Sequence, residues 1–197
     1  TPAERVASLQ AAPAEMVETT ALGRDDVSLR VGAVRLLPDG AALRVLAGLA
    51  DPPEGVVAST PTTVRRAAHE RVAQLIDTGS VAFDTIFGRP ADLLESMSVA
   101  ALCKDPDRLR QALSRVDDPA ALAKLVTDGP SSRVRQSAAA IIEDPVQLHA
   151  LLPRVRGKDK SVYKLIRQKC DALAAAEHKA EELARIAGTA MHGGVVA

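Results

Sequence analysis

Aromatic residues are nearly absent from this chain of 197 residues: there is no Trp, the only Tyr is Tyr163, and Phe occurs only at Phe83 and Phe87. Proteins that stack bases or grip sugars do so on aromatic faces, at roughly 1–3 kcal/mol per stacked base. A base-recognition pocket of the helical-repeat glycosylase kind therefore has little to be built from. Net charge is missing too. The 25 basic and 25 acidic side chains cancel, so the molecule as a whole has no reason to seek DNA, RNA or an anionic membrane, and any such preference must be local. No run of 18 apolar residues and no charged start followed by a short apolar stretch occurs, which argues against a membrane span and a signal peptide. The first residue is Thr1 rather than Met. The expectation is therefore a processed chain or a piece of a longer one, from which a targeting segment could have been removed.

Reactive chemistry is equally thin. The two cysteines, Cys103 and Cys170, fall at apolar positions without a second Cys or a His at metal-ligand spacing. They read as reduced core thiols of a cytoplasmic protein. His69-Glu70-Arg71-Val72-Ala73 begins like a zinc-protease helix, but Ala73 stands where the second His must be, one turn on, and the site fails. His149, His178 and His192 lack a second His or a Cys at ligand spacing. No Gly-rich loop ending in Gly-Lys-Ser/Thr cradles a phosphate, and no Gly-x-Ser-x-Gly elbow presents a nucleophile. No catalytic residue, metal or cofactor is expected, and the chain reads as a binding protein rather than an enzyme.

Recurrence is what the sequence does contain. Ser98-Val99-Ala100-Ala101-Leu102-Cys103-Lys104-Asp105-Pro106 matches Ser137-Ala138-Ala139-Ala140-Ile141-Ile142-Glu143-Asp144-Pro145 in residue type, position by position. The same register fits Gly32-Ala33-Val34 with Leu36-Leu37, Ala67-Ala68 with Val72, and Leu165-Ile166 with Cys170. The steps from Ala33 to Ala68, Val99, Ala138 and Ile166 are 35, 31, 39 and 28 residues. Such spacing describes stacked helix pairs, none of which can bury its own apolar face. Small residues at the contacts let helix backbones approach to roughly 8–10 Å.

The punctuation is helical as well. Asp105-Pro106, Asp118-Pro119 and Asp144-Pro145 each place a capping carboxylate before a proline suited to the first turn. Thr1-Pro2, Thr60-Pro61 and Arg89-Pro90 read similarly, and Gly23, Gly40, Gly79, Gly88, Gly129 and Gly157 stand where helices stop or turn. These signals predict helices near 3–11, 13–22, 27–37, 40–50, 61–77, 79–87, 90–104, 106–116, 119–127, 131–143, 145–153 and 159–187. No alternating Val/Ile/Thr/Tyr run predicts a strand. The fold class is all-α, a right-handed α-α superhelix of about five HEAT-like helix pairs, with 1–187 as one domain and 188–197, containing Gly193-Gly194, as a linker or flexible tail. Leu29-Arg30, Val64-Arg65 and Val134-Arg135 each set an Arg three residues before the small position, where it can pair with an acidic residue of the adjoining unit.

The blocks resemble HEAT repeats. More particularly, residues 156–173, with Lys158-Asp159-Lys160 opening a helix that carries Val162-Tyr163 and two basic residues, resemble the last helical unit of the N-terminal region in bacterial proteins that carry the domain of unknown function numbered 349. The resemblance extends over about 25–187. It implies a cytoplasmic, non-catalytic helical region in front of further domains, and it supplies no established activity.

One charge imbalance is local. Between Leu151 and Cys170 lie Arg154, Arg156, Lys158, Lys160, Lys164, Arg167 and Lys169 against one acid, Asp159, a net of +6 that the rest of the chain offsets. Lys160, Lys164 and Arg167 are spaced i, i+4, i+7 and share one helix face. Two readings stand open. One is a solvated face, or one paired with acids such as Glu177, Glu181 and Glu182 or a partner's acidic patch; the other is a sequence-independent contact with nucleic-acid phosphates. Leu173, Ala176, Ala180, Leu183 and Ile186 form an apolar stripe that either caps the stack, the favoured reading, or awaits a partner helix. The leading function is a scaffold that binds another protein, or the remaining domains of its own chain, along a concave face or through its last helix. Nucleic-acid binding through the basic residues is the rival, no membrane partner is expected, and the oligomeric state stays open.

Overall fold

The computed structural model describes residues 2–53, 60–87 and 93–192, with side chains described within 4–187. These residues form eleven α-helices and one 3-10 turn, with no strand among them. Two compact units, 1–115 and 116–197, are distinguished by their internal packing.

In the first unit, α1 (Pro2–Leu9), α2 (Ala14–Leu22), α3 (Val27–Val34), α4 (Ala41–Leu46) and α5 (Thr62–Asp77) precede a 3-10 turn (Phe83–Phe87), α6 (Leu93–Leu102) and α7 (Asp107–Leu113). Helices α3, α5 and α6, which carry the first three recurring blocks, pack one on the next. Their small residues sit in the contacts: Ala33, Ala68, Val99 and Ala100 have no exposed surface. A Cβ added at Gly32 would stand 2.8 Å from Cγ1 of Val6, so α1 lies against α3 where only hydrogen fits. The expected segment 79–87 is shorter and tighter than an α-helix. Gly79, at φ 73°, ends α5, and Phe83 and Phe87 meet edge to face at 5.2 Å beneath the guanidinium groups of Arg108 and Arg115. The proposed start at Arg89-Pro90 and the stop at Gly88 lie outside the described residues.

The second unit holds α8 (Pro119–Asp128), α9 (Ser132–Ile141), α10 (Pro145–Val155) and α11 (Lys160–His192). Helix α9 packs on α11 and α8 on α10, while α8–α9 and α10–α11 close the layers together. Two of the three Asp-Pro signals, at Asp118 and Asp144, are N-caps as expected, whereas α7 begins at Asp107 and Asp105 stands one residue ahead of its cap position. The carboxylates of Asp105, Asp118 and Asp144 accept from the backbone N–H groups of Asp107, Ala120 and Val146 at 2.9, 2.9 and 3.1 Å. Helix α11 runs five residues past its expected end at 187. Gly188 lowers helix propensity without stopping the helix, and no proline follows it. Residues 188–192 are thus helical in backbone, and 193–197 lie outside the described residues.

A helix leaves its last carbonyls without internal partners, and here cationic side chains of neighbouring helices supply several. Arg30 Nε donates to Ala21 O at the end of α2, and Arg71 Nε to Leu37 O just beyond α3. Lys169 Nζ reaches the carbonyls of Ala139, Ala140 and Ile142 at the end of α9. Packing and end-capping are therefore joined, with Arg30, Arg71 and Lys169 engaged between helices.

Candidate interaction surface

The arginine ladder expected from the sequence forms at two of its three rungs. On α5, Arg65 Nη1 donates to Glu95 Oε1 of α6 at 3.0 Å, and the other oxygen of Glu95 lies 2.9 Å from Nε2 of buried His69. That nitrogen also lies 2.9 Å from Ala47 O. The hydrogen bond to His69 holds the Glu95 carboxyl below the usual carboxylate range; burial opposes this, and the charges of His69 and Arg65 add to the lowering. Gly48, at φ 72°, passes so close that an added Cβ would meet Glu95 Cγ at 3.1 Å. His69 is thus a structural imidazole, and no group of three metal-ligating side chains occurs among the described residues. Arg30 departs from the ladder, for it donates to a backbone carbonyl of the preceding helix instead of an acid.

The second rung organises one end of the second unit. Arg135 of α9 sends Nε and Nη2 to Asp159 Oδ2 at 3.0 and 2.9 Å and Nη1 to Gly129 O, just past α8, at 2.8 Å. Ser132 Oγ donates to the same carboxylate oxygen at 3.0 Å. Asp159 Oδ1 accepts from the N–H groups of Ser161 and Val162 and so caps α11. Burial pushes the Asp159 carboxyl up, but the bonds from Arg135, Val162, Ser132 and Ser161 outweigh it and hold the group below its ordinary range. Arg135 and Asp159 together therefore tie the start of α11 to the start of α9 and the end of α8.

Around this pin the seven basic residues separate into two kinds. Arg154, Arg156, Lys158, Lys160 and Lys164 are exposed and have no side-chain hydrogen bond or ion pair among the described residues. Arg154 closes the last turn of α10, Arg156 and Lys158 flank Gly157 at φ 79°, and Lys160 and Lys164 lie one turn apart at the start of α11. Arg167 is exposed but stands 3.8 Å from Asp171. Lys169 leaves the basic face altogether. Its Nζ is turned onto α9, and burial pushes its pKa down against the raising influence of Glu143. It stands on the stripe of Val162, Ile166 and Cys170, which are buried.

Beyond Cys170 the packing of α11 ends. Leu173 is half-buried, residues 174–187 are exposed, and Leu183 and Ile186 show 58% and 53% of their surface. Among the described residues the apolar stripe beyond Leu173 therefore covers no neighbouring helix, contrary to the capping reading favoured from sequence, because α11 runs on past α9 and α10. An open groove of about 460 Å³ lies where the packing ends, lined by Ile142, Glu143, Leu148, Lys169, Ala172 and Leu173. Cys103 and Cys170 are buried and form no disulfide, and burial, with the charge of Asp171, pushes the Cys170 thiol up, away from nucleophile chemistry. His149 and His178 are exposed, and the side chain of His192 lies outside the described residues. No helix among the described residues is long and apolar enough to cross a membrane. Comparison with family models, with curated proteins and with solved structures finds no match to this chain.

Proposed function

We propose that this protein is a non-catalytic helical-repeat scaffold, a right-handed superhelix of HEAT-like pairs that binds another protein, or further domains of its own bacterial parent chain, through the outer half of α11. The observation that carries the reading is the exposed stripe from Ala176 to Ile186 on a helix whose earlier turns bury Val162, Ile166 and Cys170. A helix with one apolar stripe is stabilised mainly by burying it, so this half calls for a partner. The order of neighbours in each unit, with block-bearing helices side by side and small residues between them, supports the repeat architecture. Glu95, His69, Asp159, Arg135 and Lys169 are each engaged in holding helices together, which supports a binding role over a catalytic one. Buried reduced thiols agree with a cytoplasmic setting.

The test is a photo-crosslinking residue placed at Leu183 in the host cell, with the same residue at exposed Val146 as control. The reading expects one discrete protein adduct from position 183 that is absent from 146 and lost when Ile186 is changed to Asp. Equal adduct patterns from both positions, or none from either, would refute it.

A further inference from the structure

We infer that the corner between α10 and α11 binds the phosphate backbone of duplex nucleic acid through Arg154, Arg156, Lys158, Lys160 and Lys164. The five cations occupy eleven consecutive residues at one helix-to-helix turn, and all are exposed with no intramolecular partner among the described residues. A charge run that only solvates a surface commonly pairs with acids nearby. Here the one acid in the segment, Asp159, is withdrawn: its carboxylate is taken up by Arg135, Ser132 and the first turn of α11. The same bonds fix the turn, so the cations project from a braced element and lose less freedom on binding than they would on a loop. The positive end of a 33-residue helix lies beside them and adds to the field.

The chemistry of the patch selects among polyanions. Single strands are gripped by aromatic stacking as well as charge. The only aromatic residue near the corner, Tyr163, is half-buried, which leaves the duplex backbone as the matching target. A membrane surface is met best where apolar side chains accompany the cations. None of the exposed large hydrophobic residues falls between Arg154 and Arg167. Recognition would be independent of sequence, since all five side chains act as phosphate contacts.

The experiment measures binding of the whole chain to a random-sequence DNA duplex across a salt series. If about four phosphates are neutralised, the log–log slope is about −3.6, and affinity falls about 150-fold between about 50 and about 200 mM salt. Two triple variants of equal charge change are compared: Arg156→Glu/Lys160→Glu/Lys164→Glu at the corner, and Arg66→Glu/Lys124→Glu/Lys179→Glu at exposed positions elsewhere. The corner triple should lose binding at least about tenfold while the second triple retains it. Arg156→Gln/Lys160→Gln/Lys164→Gln repeats the test without reversal should the Glu triple misfold by circular dichroism. The proposal is overturned by no binding at the lowest salt, by equal loss in both triples, or by binding to phosphatidylserine vesicles without binding to the duplex.

Discussion

Asp159 offers the sharpest test of how the second unit is held together. Replacing it with Ala removes the cap of α11, worth about 1 kcal/mol, and breaks its pair with Arg135. The two side chains of that pair are 10% and 25% exposed. That places the pair between surface pairs, at about 0.2–1 kcal/mol, and buried ones, at about 3–5 kcal/mol on loss of one partner. About 2 kcal/mol is reasonable, so Asp159→Ala should cost about 3 kcal/mol in all. Asp159→Asn keeps the cap, because Asn caps as well as Asp, and should cost about 1–2 kcal/mol. A double-mutant cycle with Arg135→Met should return a coupling of about 1–2 kcal/mol. With no Trp and one Tyr, the fluorescence of Tyr163, in the first turn after Asp159, follows denaturation of this unit selectively. The pH dependence has a definite sign. The folded carboxyl is held low, so the wild-type advantage over Asn is fully present above the unfolded carboxylate value of about 4 and is lost as pH falls through the folded one. A coupling below about 0.5 kcal/mol, or an advantage that grows on acidification, refutes the pinning role.

Other outcomes follow from the same contacts. Gly32→Ala drives a Cβ against Val6 and should destabilise by about 1–3 kcal/mol, read by urea denaturation, with Val6→Ala restoring part of the loss. Gly48→Ala forces a positive φ on a side chain and crowds Glu95, so it should lower the melting temperature, whereas Gly79→Ala, with open space around its Cβ, should pay for the positive φ alone and lower it less. Because Glu95 is held below its ordinary range, Glu95→Gln should remove a component of stability that is present at neutral pH and disappears on acidification, measured as the pH dependence of the denaturation midpoint. Lys169→Gln should leave duplex affinity unchanged, since its ammonium faces the end of α9, while Lys164→Gln weakens affinity and flattens the salt slope by about 0.9.

Much of the fold is legible in the sequence because the signals that define it are local. The Asp-Pro caps, the prolines and glycines between blocks and the small-residue register mark eleven helices to within a few residues, and within each unit the same register identifies helices that lie side by side. The rungs at Arg65 and Arg135 are visible as Arg three residues before the small position. Their partners are not, because Glu95 and Asp159 lie 30 and 24 residues on and nothing short-range points to them. The division near 115 has no marker of composition. Lys169 was open to a finer reading. It follows Ile166 by three residues and precedes Leu173 by four, so a helical wheel sets it on the apolar stripe and apart from Lys160 and Lys164. The stripe beyond Leu173 misleads for a different reason: periodicity shows that a face is apolar, and it cannot show whether any helix is there to meet it.

Helix α11 holds the central contrast, packed to Cys170 and exposed beyond Leu173. Hydrogen exchange along this helix in the isolated protein measures that contrast directly. Amides of residues 164–170 should be strongly protected, with protection falling across Leu173 and exchange fast from Ala176 to Ile186. Protection that continues undiminished to Ile186 would mean that the stripe is already covered, and would contradict the account.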